Sequence, residues 1–225
     1  MIDILKNAVG VKERLDLDIK YRDELTQISH NIYSGIIILG SFTPYNDESK
    51  WVQDLKHFII EVYKLGQVPL LGICMAHELI ASIFGGKVQK HKFRRELGTV
   101  QFELTEDGCN SMLFDGITKF FNVNTAHSHD VIEPPLNANI LAFNERGPCQ
   151  SFKLKNLYCV QFHPDIKTST LKKWLKEDSN IERLINEKYI NSKDEIDKFL
   201  DDTFYITETN IIIFRNFLRI CKHNT

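Results

Sequence analysis

Short apolar runs alternate along this chain with amphipathic segments. The aliphatic runs at residues 36–39 and 68–73 predict strands buried in a sheet. Apolar residues spaced three and four apart predict an amphipathic helix over 50–65, and a second helix is predicted over 76–84. Residues 88–160 contain short β segments separated by Asp-Gly, Pro-Pro and Gly-Pro turns. The pattern therefore predicts a protein of mixed α and β structure.

Alternating strands and helices favour a parallel sheet that is covered by helices on both faces. We predict a three-layer α/β/α fold with a mostly parallel, open, flavodoxin-like sheet, whose ligands bind at the carboxyl ends of its strands. Residues 2–5 and 15–21 are further candidate strands. The segment between them is too short for a crossover helix, which usually needs about a dozen residues, so one of these two assignments is in conflict with a parallel pairing.

The last part of the chain has a different pattern. Residues 167–225 contain charged, amphipathic segments with three apolar stripes typical of helices. We expect a single domain over 1–225, in which 167–225 is a mainly helical C-terminal extension. These helices could pack on the sheet, cover the active site or contact a partner.

Composition excludes several classes of function. The 225 residues carry a net charge of −2, and the pI is about 6.4, so no basic surface for nucleic acid is indicated. The longest aliphatic runs are far too short to cross a bilayer. The five cysteines are an odd number without the spacing of a disulfide framework, and no secretory signal opens the chain. We expect a cytoplasmic protein with no membrane or nucleic-acid partner.

The strongest chemical signal is a cysteine that follows an apolar run and precedes a helical pattern. Cys74 is flanked by Gly72 and Ala76, and small residues at these positions fit a sharp strand-to-helix turn, the nucleophile elbow. The N-terminus of the following helix would favour the thiolate form of Cys74. A lone cysteine is more often a buried apolar residue, so the case depends on a catalytic partner.

The candidate partner lies far downstream. Residues 157–162 alternate and carry aromatic and branched side chains, which predicts a strand, and His163 would follow at its exit. Pro164 stiffens the turn, and Asp165 can reach back to orient the imidazole. Cysteine nucleophile, histidine base and carboxylate orienter together suggest a Cys-His-Asp triad.

These motifs resemble class I glutamine amidotransferases. The elbow heptapeptide 72–78 resembles G-x-C-x-G-x-Q, and residues 163–165 resemble the late H-P-E motif. Further similar segments lie in order over roughly 34–175: the strand and glycine turn at 34–41, Phe84–Val88, a hairpin near 96–108, and the substrate-side segment at 126–131.

The resemblance implies a role for each matching position. Cys74, His163 and Asp165 would be catalytic. Backbone amides of Gly40, Ser41 and Met75 would form the oxyanion hole. Substrate contacts would come from Glu78, His127, Ser128 and His129. The implied reaction cleaves the γ-amide of glutamine or of a γ-glutamyl compound through a glutamyl thioester, without a cofactor.

Two departures from the family pattern affect the elbow. Ala76 replaces a glycine, which is a mild change, whereas Glu78 replaces the glutamine that in the family helps hold the amino-acid end of the substrate. An ionised carboxylate accepts hydrogen bonds and cannot donate them. Glu78 would therefore suit an ammonium group and repel a carboxylate. Asp165 in place of glutamate is the gentler change, because both carboxylates can orient a histidine.

The resemblance leaves several functions open. The first is a glutaminase that passes ammonia to a synthetase partner, since no nucleotide-binding P-loop is present here. The second is a stand-alone γ-glutamyl peptidase or hydrolase, and the third is a binding or regulatory protein in which Glu78 blocks glutamine. Other cysteine-elbow proteins, which lack the late His-Pro-Asp, are a more remote comparison.

A metal site is not expected from the spacing. His127 and His129 form an H-x-H pair, but no third ligand is spaced near them. His77-Glu78 begins a zinc-protease H-E-x-x-H motif, but position 81 is alanine. The remaining cysteines, 109, 149, 159 and 221, are expected to be structural.

Overall fold

The computed structural model describes residues 1–9, 14–27, 32–91 and 94–223. The predicted α/β class is confirmed: a seven-stranded sheet and a two-stranded sheet are surrounded by helices. The strands are β1 (Ile36–Ile38), β2 (Leu70–Ile73), β3 (Lys87–Lys90), β4 (Glu96–Leu104), β5 (Phe120–His127), β6 (His129–Glu133), β7 (Asn139–Phe143), β8 (Ser151–Leu154) and β9 (Leu157–Val160).

Helices account for most of the remaining regular structure in the described part of the chain. They are α1 (Ile2–Ala8), α2 (Lys50–Leu65), α3 (Met75–Ile83), α4 (Glu106–Cys109), α5 (Thr168–Leu175), α6 (Asp178–Asn186), α7 (Ile196–Thr203) and α8 (Thr209–His223). Short 3-10 turns lie at Arg22–Gln27, Met112–Phe114 and Lys193–Glu195.

The main sheet is mixed, with fewer parallel pairs than the sequence pattern predicted. Its strand order is β1-β2-β9-β8-β7-β4-β5. Only β1–β2 and β2–β9 pair in parallel, whereas the other four pairings are antiparallel. The two residues Lys155 and Asn156 connect β8 to β9. A connection this short closes an antiparallel hairpin and cannot make the crossover that parallel strands require.

Two apolar clusters lie on opposite faces of the sheet. Buried residues of α2 and α3 pack with β2, β8 and β9 in one cluster. Buried residues of α1 and α8 pack with β4, β5 and the alternate residues of β2 and β9 in the other. Because successive side chains of a strand point to opposite faces, Leu71 and Ile73 join the second cluster while Leu70 joins the first. The sheet is thus covered on both sides.

The predictions for the N-terminal segment were wrong. Residues 2–5 belong to helix α1, and residues 15–21 form no strand. Ile4, Leu5 and Ala8 are buried on one face of α1, which contacts α8. The apolar run at 2–5 is too short to distinguish a strand from a helical face, and the contact with α8, far along the chain, decides between them.

The helices after residue 167 pack in two places. Helices α5, α6 and α7 form a third apolar cluster with Leu97 of β4, built on Leu171, Leu184 and Leu200 among others. Helix α8 instead covers the sheet through Ile213, Phe214, Phe217 and Ile220. That residues 1–225 form one domain with a C-terminal extension stays a prediction. Among the described residues, no helix is both long and apolar enough to span a membrane.

Candidate active site

Cys74 occupies the sharp turn between β2 and α3. Its backbone has φ 53° and ψ −106°, a region that residues with a side chain rarely adopt. Such a conformation costs about 1–3 kcal/mol and persists only where the surroundings enforce it. The N–H of Cys74 donates to the carbonyl of Val160 over 2.9 Å, and the N–H of Glu78 donates to the carbonyl of Cys74 over 3.1 Å. The neighbouring strand and the first helical turn thus hold the elbow.

Small residues on both sides of Cys74 permit this turn. A methyl group on Gly72 would lie 2.7 Å from Cδ1 of Ile80 and 3.4 Å from Cβ of Ala76. The strand and the helix therefore approach closely where the sequence has glycine and alanine. Ala76 is itself fully buried, which explains why only a small side chain fits there.

His163 and Asp165 lie beside the elbow, as a pair joined by a hydrogen bond. Nδ1 of His163 is 3.1 Å from Oδ1 of Asp165, and both side chains are about one-tenth exposed. The backbone N–H of His163 donates to the carbonyl of Asn124 over 2.9 Å, which ties the turn to β5. Asn124 is in turn held by hydrogen bonds to Thr99 and Thr168. The contact through Nδ1 leaves Nε2 for the sulfur.

The electrostatic environment of His163 favours its protonated form. Burial by itself lowers the pKa of His163, but the charge of Cys74 and the hydrogen bonds to Asp165 and Cys74 outweigh burial. The pKa of His163 is therefore held well above its usual range. A positive imidazolium next to a cysteine stabilises a thiolate, so the pair can form an ion pair before any substrate binds.

Gly40, at the end of β1, lies directly against both side chains. A methyl group at this position would lie 3.1 Å from Cε1 of His163 and 3.2 Å from Cβ of Cys74. Three segments that are distant in the chain therefore meet at the carboxyl ends of β1, β2 and β9. This edge is where ligands bind in open α/β sheets.

The other cysteines have different surroundings. Burial raises the pKa of Cys149 and of Cys221 to about 12, and it raises the pKa of Cys159 well above the usual value. These three thiols stay protonated at neutral pH. Cys109 is exposed at the end of α4, and all five cysteines are free.

A fully buried amide that the sequence analysis missed links the elbow to the substrate side. Nε2 of Gln161 donates to Oε1 of Glu78 over 3.1 Å and lies 3.9 Å from Sγ of Cys74. Oε1 of Gln161 lies 2.8 Å from Nδ1 of His77. Burial lowers the pKa of His77 to about 3, so the ring is neutral and Nδ1–H donates to Gln161. Gln161 lies two residues before His163, a spacing that could have indicated a shared face.

Glu78 is largely withdrawn from solvent. Burial raises the pKa of Glu78 to about 7, although the hydrogen bond from Gln161 favours the ionised form. Nδ1 of His129 lies 3.8 Å from Oε2 of Glu78, and the ring of His129 packs edge-on against Tyr45. Near neutral pH, Glu78 can therefore exist in either protonation state.

A cavity of about 130 Å³ opens next to Cys74. The structure places most of the residues that the sequence analysis predicted on its wall: Ser41, Cys74, Met75, Glu78, His127, Ser128 and His129. The remaining predicted residues, Gly40 and the pair His163 and Asp165, lie behind Cys74 through the contacts described above. Phe42, Arg95, Trp174 and Arg183 also line the cavity and were not anticipated.

A larger cavity of about 660 Å³ lies between β1 and residues 16–25. Its wall includes Gly40, Ser41 and Met75 but neither Cys74 nor His163. Since the reactive groups converge on the smaller cavity, we assign the candidate active site to that one.

His127 lies in a buried charge network behind the cavity. Its Nε2 is 3.0 Å from Oε2 of Glu96, and its Nδ1 is 2.9 Å from the carbonyl of His129. Nδ1 of His91 is 3.0 Å from Oδ2 of Asp130. Within the described residues, His91, His127 and Asp130 bring three ligand atoms within 4.8 Å of one another. Both nitrogens of His127 already face oxygen acceptors, so this geometry fits a protonated imidazole better than a metal ligand.

The chain matches the family "Glutamine amidotransferase class-I" over residues 7–182. This match spans most of the sequence and agrees with the elbow, the fold and the placement of the cavity. The chain belongs to the class I glutamine amidotransferase family, as the resemblance of its motifs predicted.

Two curated relatives carry different names. The chain is 38% identical over 110 residues to a subunit of the glutamine-hydrolyzing GMP synthase of Pyrococcus abyssi, which is 48% of this chain and 56% of the relative. It is 25% identical over 172 residues to "Gamma-glutamyl peptidase 2" of Arabidopsis thaliana, which is 76% of this chain and 69% of the relative. The chain thus spans only a little over half the length of the first relative.

Solved structures show the same fold. A glutamine amidotransferase from Thermotoga maritima matches with a TM-score of 0.67 at 21% identity, over 85% of this chain and 79% of that chain. A glutamine amidotransferase from Methylobacillus flagellatus matches with a TM-score of 0.62 at 16% identity, over 83% and 76%. At these identities, the likeness concerns the fold alone.

Proposed function

We propose that this protein is a cysteine hydrolase that cleaves the γ-amide bond of a γ-glutamyl compound. One observation carries the proposal: Cys74, in its strained elbow conformation, faces His163, whose other ring nitrogen lies 3.1 Å from Asp165. Family membership and the elevated pKa of His163 give further support.

The proposed reaction has two steps. The thiolate of Cys74 attacks the γ-carbonyl carbon, and the resulting tetrahedral intermediate loses its amine when the C–N bond breaks. His163 donates its proton to the leaving nitrogen, so that ammonia or an amine departs and a glutamyl thioester remains. Water then attacks the thioester, His163 accepts a proton from this water, and glutamate leaves as the C–S bond breaks. Asp165 holds the imidazole in position throughout.

The oxyanion of the tetrahedral intermediate needs hydrogen-bond donors. We assign this role to the backbone amides of Met75, at the start of α3, and of the Gly40-Ser41 turn. Each donor in a comparable site contributes about 3 kcal/mol to the stability of the transition state. Gly40 supports the assignment because it contacts both Cys74 and His163.

Glu78 favours a γ-glutamyl peptide or amine over free glutamine as the substrate. A carboxyl group at this position can accept a hydrogen bond from an ammonium group, whereas it lacks the amide donor of the family's glutamine. The relative named gamma-glutamyl peptidase covers more of this chain than the synthase subunit does. We therefore propose a stand-alone γ-glutamyl peptidase or hydrolase as the specific activity.

A glutaminase that delivers ammonia to a synthetase partner is the second candidate. Its support is the similarity to proteins named as subunits of a GMP synthase, a name that implies a further subunit. A binding or regulatory protein that retains the fold is the third. For each, we propose the cytoplasm as the location, which the five free cysteines support.

Labelling with an electrophilic glutamine analogue, 6-diazo-5-oxo-L-norleucine, tests the proposed nucleophile. We expect intact-mass measurement to show one adduct on the wild type and none on Cys74→Ala. Cys109→Ala is the matched control, because Cys109 is exposed and free, and this variant should be labelled like the wild type. An unlabelled wild type, or an adduct on Cys109, would contradict a nucleophilic Cys74.

Hydrolysis assays separate the candidate activities. We expect release of the amine from γ-glutamyl peptides, with less ammonia released from glutamine. Equal or faster glutamine hydrolysis would favour the glutaminase, and labelling without any hydrolysis would favour the binding protein.

A further inference from the structure

Two arginines reach the wall of the candidate active site from outside the triad. Arg95 precedes β4 and Arg183 lies on α6, and both line the cavity next to Cys74. Glu187 joins them: its Oε2 is 2.8 Å from Nε of Arg95, and its Oε1 is 2.8 Å from Nε of Arg183. We call these three residues the arginine cluster. Two guanidinium groups share one carboxylate, so the cluster has a net charge of about +1.

Arg95 is unusual because its guanidinium is almost completely buried. Its side chain is 3% exposed, and Nη2 is buried without a hydrogen-bond partner among the described residues. A buried guanidinium nitrogen that donates no hydrogen bond costs free energy, which an anion in the cavity would recover. Burial lowers the pKa of Arg95, and the carboxylate of Glu187 opposes this effect.

Arg183 is positioned by the helical part of the chain. Its Nη2 donates to Oγ of Ser128 over 3.2 Å, so the guanidinium contacts the segment between β5 and β6. On the preceding helix, Trp174 stacks on Phe42 with 5.3 Å between ring centroids, and both rings line the same cavity. Helices α5 and α6 therefore form one wall of the cavity, and Glu78 of α3 belongs to another.

The two walls differ in charge. Glu78 is an acceptor on one wall, and the arginine cluster is a donor with a net positive charge on the other. Guanidinium groups bind carboxylates through charge-assisted hydrogen bonds, which are stronger than neutral ones. A molecule that presents an ammonium and a carboxylate would match both walls.

We propose that Arg95 and Arg183 form a carboxylate-binding subsite, so that the preferred substrate is a γ-glutamyl compound whose carboxylate docks on the arginine cluster. This inference rests on the proposed function for its choice of substrate. The carboxylate belongs either to the glutamyl end or to an amino acid in the leaving group, and both share the chemistry of the subsite.

Binding to an inactive protein tests the subsite independently of catalysis. In the full-length Cys74→Ala background, we expect calorimetry to detect γ-glutamylglycine, and Arg183→Gln to weaken its binding about tenfold, the effect of losing one charge-assisted hydrogen bond. Arg183→Lys should restore part of the affinity. Arg219→Gln is the control, because Arg219 on α8 pairs with Asp115, away from the cavity. Equal affinity with and without Arg183, or no binding, would overturn the subsite.

Two analogues identify which carboxylate is bound. γ-Glutamyl methylamide lacks the carboxylate of the leaving group, and 4-aminobutyrylglycine lacks the one at the glutamyl end. The analogue without the relevant carboxylate should bind weakly and be insensitive to Arg183→Gln. If both analogues stay as sensitive as γ-glutamylglycine, the guanidinium does not recognise a carboxylate. Arg183-dependent binding in a protein whose wild type hydrolyses nothing would instead refute the proposed function and leave the subsite standing.

Discussion

The side-chain amide of Gln161 donates from Nε2 to Oε1 of Glu78 over 3.1 Å. The same nitrogen lies 3.9 Å from the sulfur of Cys74, so one buried amide connects the residue that departs from the family pattern to the proposed nucleophile. The protonation state of Glu78 is therefore coupled to the centre of the site. This coupling gives the first prediction a clear sign.

Glu78→Gln should change the pH dependence of stability. Burial raises the pKa of Glu78 from 4.5 to about 7, so between these values the folded protein keeps a proton that the unfolded chain has released. The stability of the wild type should consequently fall as pH rises through this window, by about 3 kcal/mol in total. The amide of the variant does not titrate. Denaturant unfolding at pH 5 and pH 8 should show Glu78→Gln gaining about that amount on the wild type at the higher pH.

The control for this prediction is Glu61→Gln, because Glu61 is exposed on α2. It should leave the pH dependence of unfolding unchanged. If Glu78→Gln differs from the wild type by the same amount at both pH values, Glu78 ionises normally in the folded state.

Asp165→Asn should slow catalysis and shift its pH profile. The hydrogen bond and charge of Asp165 raise the pKa of His163, so the variant should lose protonated His163 at a lower pH than the wild type. We expect kcat/KM for a γ-glutamyl peptide to fall about 10²-fold, the scale of a general acid–base contribution. The alkaline limb of the kcat/KM profile should move to lower pH.

Asp178→Asn provides the comparison, since Asp178 forms an exposed ion pair with Lys193. Its rate and pH profile should match the wild type. An Asp165→Asn enzyme with an unshifted alkaline limb would show that Asp165 does not act on His163.

Gly40→Ala should separate activity from stability. The new methyl group would lie 3.1 Å from Cε1 of His163 and 3.2 Å from Cβ of Cys74, so the pair must move apart by a few tenths of an ångström. Small misplacements of reacting groups are costly, and we expect kcat to fall about 10- to 100-fold. Thermal unfolding should change little.

Gly85→Ala gives the opposite pattern. Gly85 has φ +84°, and a methyl group there meets nothing within 4 Å. The backbone strain should cost about 1 kcal/mol of stability and leave kcat unchanged. A Gly40→Ala protein with wild-type kcat would argue against close packing of Gly40 on the reactive pair.

Local chemistry determined much of this protein in the sequence itself. Gly72, Cys74 and Ala76 specify an elbow because a sharp turn needs small neighbours, and the apolar spacing over 50–65 specifies α2 within the same limits that the structure has. His163 and Asp165 are two residues apart, so their hydrogen bond needs only a short turn. Motif order was enough to identify the family.

Tertiary structure decided what depends on contacts between distant segments. The strand pairing became mixed because short hairpins join β7, β8 and β9, and residues 2–5 became helical because they pack on α8. Gln161 and the arginine cluster acquire meaning only when β9, α3 and α6 meet around one cavity. Sequence periodicity reports which face of an element is apolar, but it carries no information on which polar side chain will lie opposite another.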